Sequence, residues 1–453
     1  MKSIVDGLVR YSVSCAKTFE SDAQLILGPG EREEHQGAWG HENYKYASGP
    51  LLALYVTEHP ANPYFRKREV LDPYLQLADR WVKKWEESLE AGDPIEYSEW
   101  PPLIVLRGLE HLGDELDAGM RERWARMVTY FAEHVVPQPF FFTAPNHEAW
   151  KLAVTALAGR VLKRPDLLEA AEFKAGQLAA YQTPEGFWEE GRHHGPSMKY
   201  SGLMLAAMTV VAEETGNAKL REAAARLATF MSRWAYPGGV LAGVHDGRQS
   251  TSPGYFGLVV PGLELAAEGL GHMRSIIDFW DRVGWLDEPR KVGPSNWYAY
   301  FAMPFASEGL LHFAPMAAGA GGDGSGEAAP PLATDGAVLE NHTTLFGAVM
   351  RRQGKWALGI SSQLSDVPKD CQFIYRLERR RAEPGQLRLA ALQRLGRHRL
   401  RREARREGLR PHQGAGRQSG VRPAPLQVLR ADGGERHRRR EELAGADLRQ
   451  LHR

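Results

Sequence analysis

The sequence predicts a mainly α fold: an α/α toroid of about five to six helical hairpins, then a truncated β-sandwich domain and a disordered Arg-rich tail. Three observations support this prediction. Apolar helical segments begin about every fifty residues over residues 1–315, and amphipathic segments lie between them. After residue 315, short runs alternate apolar and polar residues. The last 78 residues contain many Arg and no aromatic side chain.

The helical segments are of two kinds. NHEAWKLAVTALAGRVL, from Asn146, is apolar nearly all round, which predicts an inner helix. AKLREAAARLATFMSRWA, from Ala218, has one apolar stripe, which predicts an outer helix. A closed ring of hairpins buries both kinds, and an open curved solenoid is the alternative arrangement. The other predicted inner segments begin at Asn43, Glu99, Met198, Gly254 and Asn296.

The composition divides the chain into four parts. Residues 1–315 form the toroid, which is predicted to be the catalytic domain. Residues 316–335 are rich in Gly, Ala and Pro and predict a flexible linker. Residues 336–375 alternate apolar and polar residues, which predicts the start of a β-sheet domain. Residues 376–453 form the tail.

The tail differs from the rest of the chain in charge and in composition. It holds 22 Arg, no Lys and 9 acidic residues, a net charge of +13, whereas residues 1–375 carry −12. A basic arm that binds phosphates has no physical reason to lack Lys. Phe, Tyr, Trp, Ile, Met, Cys, Thr and Asn are also missing, and AT-rich codons encode many of these residues. We therefore favour a lost reading frame after Tyr375, and we expect the tail to be disordered.

The composition argues against several classes of function. Only Cys15 and Cys371 are present, so neither a disulfide framework nor a thiolate zinc cluster is expected. No Walker-type loop and no long apolar run occur. We expect no cofactor, no metal, no nucleic acid and no membrane partner, and the oligomeric state stays open. The expected location is cytoplasmic as written, or secreted or periplasmic if a leader is missing.

Polar clusters lie at the starts of two predicted inner helices. TAPNHEAW runs from Thr143 to Trp150, and EEGRHHGPSMKY runs from Glu189 to Tyr200. Parallel inner helices would gather their N-terminal ends, and hence both clusters, at one mouth of the ring. Aromatic rings near the same ends suit the apolar faces of sugars. The candidate substrate-binding residues are Trp39, Trp100, Trp150, Trp188, Tyr255, Trp297 and Tyr298.

The combination of a helical toroid, a following β-domain and an Asn-His pair 54 residues before a Tyr resembles the alginate-lyase and heparinase II/III-like polysaccharide lyases. The resemblance covers roughly residues 35–375 and is strongest over 143–205. It implies β-elimination from a uronic-acid-containing polysaccharide. In that reaction Asn146 would neutralise the uronate carboxylate, His147 would assist or remove the C5 proton, and Tyr200 would protonate the leaving oxygen.

The same resemblance implies two further contributions. Alginate-type lyases carry an Arg about two helical turns before the Tyr, where this chain has Arg192 followed by His193 and His194. Heparinase-like relatives add a His from the β-domain, for which His342 is the candidate. The chemistry is consistent with these residue types, because amide and cationic donors stabilise the developing enolate and His exchanges protons near neutral pH.

Other interpretations of these residues remain open. Asn146 alone is explained by a helix N-cap, His147 by a packed or surface position, and Tyr200 by the core. The same toroid could carry a glycoside hydrolase of the inverting or unsaturated-glucuronyl type, which uses two carboxyl groups. Its candidates are Glu148, Glu189, Glu190 and Asp246. A non-catalytic carbohydrate-binding toroid is the third interpretation. The negative charge of residues 1–375 favours an unsulfated substrate.

The lost-frame hypothesis makes a direct prediction about the gene. Resequencing of the codons after Tyr375 should find an inserted or deleted nucleotide, because a shifted frame in GC-rich DNA yields Arg, Ala and Gly at the expense of Lys, Asn and Ile. A verified, unshifted frame that still encodes the Arg-rich tail would contradict it.

Overall fold

The computed structural model describes most of the chain before residue 377. The described residues are 1–27, 44–92, 99–140, 144–190, 195–236, 240–241, 258–288, 296–319, 328–342, 347–354, 356–361 and 372–376. Apart from Arg376, the Arg-rich tail falls outside them. The structural statements below concern this described part of the chain.

Eleven α-helices occupy the described residues, which confirms the mainly α prediction. They are α1 Lys2–Leu27, α2 Tyr44–Val56, α3 Arg68–Ala91, α4 Trp100–His111, α5 Ala118–Val135, α6 Pro145–Val161, α7 Pro165–Ala179, α8 Met198–Thr215, α9 Ala218–Arg233, α10 Gly269–Arg282 and α11 Asn296–Gly319. None of these helices is long and apolar enough to span a lipid bilayer.

The helices close into a ring. Helices α2, α4, α6 and α8 contact one another in that order, α8 contacts α11, and α11 packs against α2. The remaining helices lie outside this row, where α1 contacts α3 and α10, α3 contacts α5, and α9 contacts α7 and α10. The α11 to α2 contact favours the toroid over the open solenoid.

Local sequence explains why the helices begin and end where they do. Pro145 occupies the first turn of α6, where its missing N–H costs nothing. Asn217 caps α9 by accepting hydrogen bonds from the backbone N–H groups of Lys219 and Leu220. Helix α3 ends at Gly92, whose φ of 68° suits a residue without a Cβ. Outer helix α3 buries one stripe, made of Val70, Leu71, Tyr74, Leu77, Ala78, Val82 and Trp85.

One predicted inner helix is absent from the residues that the structure describes. The segment predicted to begin at Gly254 has no description before residue 258, and from there it contains only a short 3-10 turn, Leu263–Leu265. Pro261 and Gly262 precede that turn, and Gly262 has a φ of 95°. A Cβ at Gly262 would lie 2.1 Å from Thr209 Oγ1, so glycine is required both for conformation and for space. The inner wall therefore consists of five helices and one irregular segment.

The β part of the prediction is corrected by the structure. Helix α11 continues to Gly319, four residues beyond the predicted boundary at 315, although Pro315 lies within it. Strands β3 Val338–His342, β4 Gly347–Gln353, β5 Trp356–Ser361 and β6 Gln372–Arg376 then form one antiparallel sheet in the order β3-β4-β5-β6. A short hairpin, β1 Ala235–Tyr236 with β2 Val240–Leu241, precedes α10. A sandwich needs two packed sheets, and the described residues after α11 contain one.

Ion pairs connect four inner helices, and those made by Arg107 are largely buried. The Arg107 guanidinium binds both carboxylate oxygens of Glu308, at 3.1 and 2.5 Å, and binds Glu110 at 2.7 Å. Glu110 also accepts from Arg160, which binds Glu214 at 2.5 Å. Burial alone would raise the pKa of Glu110, but the charge of Arg107 prevails and lowers this pKa to about 2. The chain of ion pairs joins α4 and α11 to α6 and α8.

Removing Glu308 should destabilise the ring strongly. In Glu308→Ala, Arg107 stays buried with one carboxylate instead of two, and an undercompensated buried charge costs roughly 3 kcal/mol of unfolding free energy. Urea unfolding of the full chain measures this change. The matched control is Glu222→Ala, which removes an exposed pair with Arg226 and should cost less than about 1 kcal/mol. Equal losses in the two variants would contradict the role of the buried pair.

Candidate functional site

A small cleft lies between the starts of α6 and α8. It is much smaller than the roughly 300–1,000 Å³ pockets that hold drug-sized ligands, and most of its lining side chains are buried. Its lining combines an amide, a carboxyl group, hydroxyl groups and aromatic rings. The lining residues are Pro145, Asn146, Trp188, Glu190, Ser197, Tyr200, Ser201 and Met204. Four residues predicted from sequence, Asn146, Trp188, Tyr200 and the hydrolase candidate Glu190, therefore lie together.

Asn146 is a buried cleft residue and does not cap its helix. The N-cap of α6 is Ala144, and α6 begins at Pro145, so Asn146 lies within the first turn. Its side chain is buried, and its Oδ1 has no hydrogen-bond partner in the described part of the chain. An unpaired buried polar atom costs about 1–3 kcal/mol, and this one belongs to a residue that lines the cleft.

His147 is held by a buried carboxylate that the sequence analysis did not assign. Its Nδ1 lies 2.6 Å from Oε1 of Glu99, and Glu99 immediately precedes α4. The Glu99 side chain is 3% exposed, whereas that of His147 is 49% exposed. Because an ionised carboxylate only accepts, Nδ1 donates its proton and Nε2 is left for another partner. His147 does not line the cleft itself, but it directly follows Asn146.

The charges around His147 favour its protonated form. The hydrogen bond to Glu99 is the main cause, and it raises the pKa of His147 above the ordinary value. Burial opposes this effect, while the negative charge of Glu190 adds to it. Glu190 is also a cleft residue, so His147 and the cleft interact electrostatically.

The second polar cluster forms one side of the cleft. Glu189 pairs with Pro196 in an isolated β-bridge, and the Glu190 N–H donates to the Gly195 carbonyl at 3.0 Å. Trp188 donates from Nε1 to the Leu178 carbonyl at 2.8 Å, which fixes its ring. Glu190 is 5% exposed, so its carboxyl group faces little bulk water. Both ends of this segment are therefore anchored beside the cleft.

Tyr200 lies in the first turn of α8. It is half-buried and packs against the core while lining the cleft. The Ser201 N–H donates to the Ser197 carbonyl at 2.7 Å, which establishes the first helical turn around it. Since α6 and α8 are packed neighbours, residues 54 positions apart reach the same cleft.

Two predicted sugar-binding residues lie in the core instead. Trp150 is completely buried and Trp100 is 4% exposed. Their ring centroids are 5.4 Å apart, and the Phe305 ring lies 5.2 Å from that of Trp100. These rings pack where inner helices α4, α6 and α11 meet, because removing a large apolar ring from water is favourable in free energy.

A hydrolase candidate, Glu148, is buried and pairs with Lys151 at 3.0 Å.

The remaining predicted residues lie beyond what the structure describes. Trp39, Arg192, His193, His194, Asp246 and Tyr255 fall outside the described residues. Helix α11 includes Trp297 and Tyr298, and strand β3 includes His342, but their side chains are not described. Their roles stay predictions.

Glu99 is the functional candidate that sequence reasoning missed. It was recognised only as the first residue of an inner segment. The sequence did contain a signal for it. Glu99 and His147 lie at the starts of α4 and α6, which are consecutive inner helices. Neighbouring inner helices with the same direction bring such residues together.

Comparisons with known proteins give structural likeness only. No protein-family model matches the chain, and no curated protein matches it either. The structure resembles an unsaturated glucuronyl hydrolase from Bacillus sp. GL1, described as responsible for the degradation of glycosaminoglycan, with a TM-score of 0.43 and 13% identity over 69% of this chain and 96% of that chain. It also resembles heparinase III, with a TM-score of 0.37 and 10% identity over 79% of this chain and 60% of that chain. Because both scores are low, neither likeness assigns a function.

Glu99→Gln should lower the pKa of His147. The carboxylate raises that pKa by stabilising the imidazolium, and a neutral amide cannot replace its charge. In the wild type, the stability contributed by this pair is complete below the unfolded His pKa and is lost as pH rises through the folded pKa. Histidine-labelled NMR titration, with His147→Gln to assign the signal, measures the change. An unchanged titration of His147 would contradict the pairing.

Proposed function

We propose that this protein is a polysaccharide lyase that cleaves a uronic-acid-containing polysaccharide by β-elimination. The observation that carries the proposal is the cleft shared by Asn146, Trp188 and Tyr200. His147 follows Asn146 directly, and Glu99 holds its Nδ1. An amide, an oriented imidazole and a phenol are the three groups that elimination from a uronate requires.

The amide of Asn146 would help to remove the uronate C5 proton, which is only weakly acidic. A negative carboxylate opposes loss of that proton, because the electrons it leaves behind move towards the carboxylate. Hydrogen-bond donors aimed at the carboxylate stabilise this enolate-like charge, and removing one such donor typically costs about 10²–10³ in rate. Asn146 is buried at the cleft wall, and its Nδ2 group is the donor assigned to the carboxylate, whereas its Oδ1 can only accept.

Proton transfer is assigned to His147 and Tyr200. Above its raised pKa His147 is neutral, and with Nδ1–H donated to Glu99 it then carries its lone pair on Nε2, which takes the C5 proton. The C5–H electron pair forms the C4=C5 double bond, and the bond from C4 to the bridging oxygen breaks. The phenol proton of Tyr200 passes to that leaving oxygen. The products are an unsaturated uronate and a new sugar end.

The other two cleft groups serve binding. Trp188 is fixed through its Nε1 and is 4% exposed, so only the small part of its side chain that lines the cleft would meet a sugar. Glu190 accepts hydrogen bonds from sugar hydroxyl groups. A buried carboxyl group beside an anionic substrate favours uronates without added sulfate, and the net charge of −12 over residues 1–375 points the same way.

Hydrolysis is the second candidate, and Glu190 is the observation in its favour. An inverting hydrolase uses two carboxyl groups roughly 6.5–9.5 Å apart, one as acid and one as base for water. Among the described lining residues, Glu190 is the one carboxyl group, and the nearby Glu99 is engaged by His147. Elimination therefore uses more of the groups that line or adjoin the cleft.

The test follows two signals on a panel of unsulfated uronate polysaccharides. The unsaturated product absorbs in the ultraviolet, whereas new reducing ends appear in both elimination and hydrolysis. For a lyase, both signals rise together, and Tyr200→Phe lowers the rate by roughly 10²–10⁴ because the acid is lost. Glu190→Gln should mainly weaken binding. Tyr181→Phe, at an exposed tyrosine away from the cleft, is the matched control.

Different outcomes would replace the proposal in defined ways. Reducing ends without absorbance, abolished by Glu190→Gln and not by Tyr200→Phe, would identify a hydrolase. Sugar binding without either signal would identify a non-catalytic binding protein. Elimination that is equally fast in the Tyr200→Phe and Tyr181→Phe variants would remove Tyr200 from the mechanism while leaving the lyase class intact.

A further inference from the structure

A second cluster of titratable groups lies away from the cleft. Glu213 belongs to α8, Glu264 to the 3-10 turn Leu263–Leu265, and His312 to α11. One ligand atom from each residue lies within 4.8 Å of the others. His312 Nε2 is 3.1 Å from Oε1 of Glu264, and Nδ1 is 3.6 Å from Oε2 of Glu213.

The cluster is separate from the candidate active site. Tyr200 and Glu213 are thirteen residues apart on α8, which corresponds to roughly 20 Å along a helix that rises 1.5 Å per residue. The cleft is at the start of α8, whereas Glu213 lies in its last turn. A ligand bound at this cluster would therefore not touch the residues assigned to proton transfer.

An unpaired buried hydroxyl group is a second observation at the same place. Thr209 is 2% exposed, lies one helical turn before Glu213, and its Oγ1 has no hydrogen-bond partner in the described part of the chain. This oxygen packs directly against Gly262, as shown by the 2.1 Å separation that a Cβ there would have. The Gly262 N–H donates to the Glu264 side chain, so both residues belong to one tight loop. Thr209 therefore adjoins the loop that holds Glu264.

The turn orients Glu264 towards His312. The Gly262 N–H binds Oε2 of Glu264 at 2.8 Å, which leaves Oε1 for the imidazole. The side chains of Glu264 and His312 are 12% and 15% exposed, so two of the three groups are held in place. Glu213 is 40% exposed and is free to adjust its rotamer.

We propose that Glu213, Glu264 and His312 bind one divalent first-row transition-metal ion of the zinc class. Imidazole nitrogen and carboxylate oxygen are both ligands that Zn²⁺ takes, and a fourth position is left for water or a nearby hydroxyl group. Ligand atoms about 2.0–2.2 Å from a tetrahedral metal lie roughly 3.5 Å apart, so these atoms must approach by roughly 1–1.5 Å, which a rotamer change of the exposed Glu213 side chain allows.

Such an ion has a structural consequence at this position. The three ligands come from α8, from the irregular segment that replaces an inner helix, and from α11. A shared ion would cross-link these segments where the helical inner wall is interrupted. Metal binding that exists only in the folded state contributes directly to folding free energy. The sequence analysis expected no metal, and the three proposed ligands, 51 and 48 residues apart, form no local motif.

The test measures binding and stability of the full chain after metal removal by a chelator. Adding ZnCl₂ or MnCl₂ should raise the melting temperature by about 3 °C at saturating metal, and calorimetric titration should show a site that Glu264→Gln and His312→Gln lack. Glu213→Gln changes an exposed carboxylate, so it keeps the fold and should also lose the site. His134→Gln on α5 is the matched control and should respond like the wild type.

The comparison between variants decides the matter. A melting temperature that rises equally in the wild type and in Glu213→Gln would overturn the proposal, because the ion would then bind elsewhere among the chain's 16 His residues. Absence of any response of the wild type to both salts would overturn it as well. Loss of the response in Glu213→Gln together with its retention in His134→Gln supports it.

Discussion

The need to cover inner helices that are apolar on nearly every side governs this structure. Leaving one of these faces in water would cost about 25 cal/mol of folding free energy per Å² of apolar surface. Such a helix is fully covered when it has an inner neighbour on each side and an outer helix behind it. Every inner helix has two neighbours only if the row closes, and the contact of α11 with α2 closes it. The bidentate pair of Arg107 with Glu308 then fixes which helices meet, since a buried guanidinium is stable only beside its carboxylate.

Ring closure gives the two ends of α8 different chemistry. At its start, Tyr200 meets Asn146 and the segment around Trp188 and Glu190, so polar groups surround a small cleft. In its last turns, acidic residues meet Arg160 on α6 and His312 on α11. The apolar middle of the helix is packed against its neighbours and separates the two polar regions.

The pairing of Glu99 with His147 links the fold to the proposed chemistry. A carboxylate at 3% exposure is costly unless a donor compensates it, and the imidazole at 2.6 Å provides that donor. In return, His147 has one defined tautomer and a raised pKa. The rigid starts of α4 and α6 hold both residues, so the imidazole is oriented before any substrate arrives.

The sequence by itself determined the helical class, the alternation of inner and outer helices, and the clustering of Asn146, Trp188 and Tyr200, because periodicity and the direction of successive helices are local properties. Only the tertiary structure decided that the row closes, that Trp100 and Trp150 are interior, that Glu99 binds His147, and that the segment from Gly254 does not supply a described inner helix. These outcomes depend on which surfaces meet across 48 or more residues, on Gly262 fitting against Thr209, and on the free energy of burial at each contact. No single stretch of sequence contains that information.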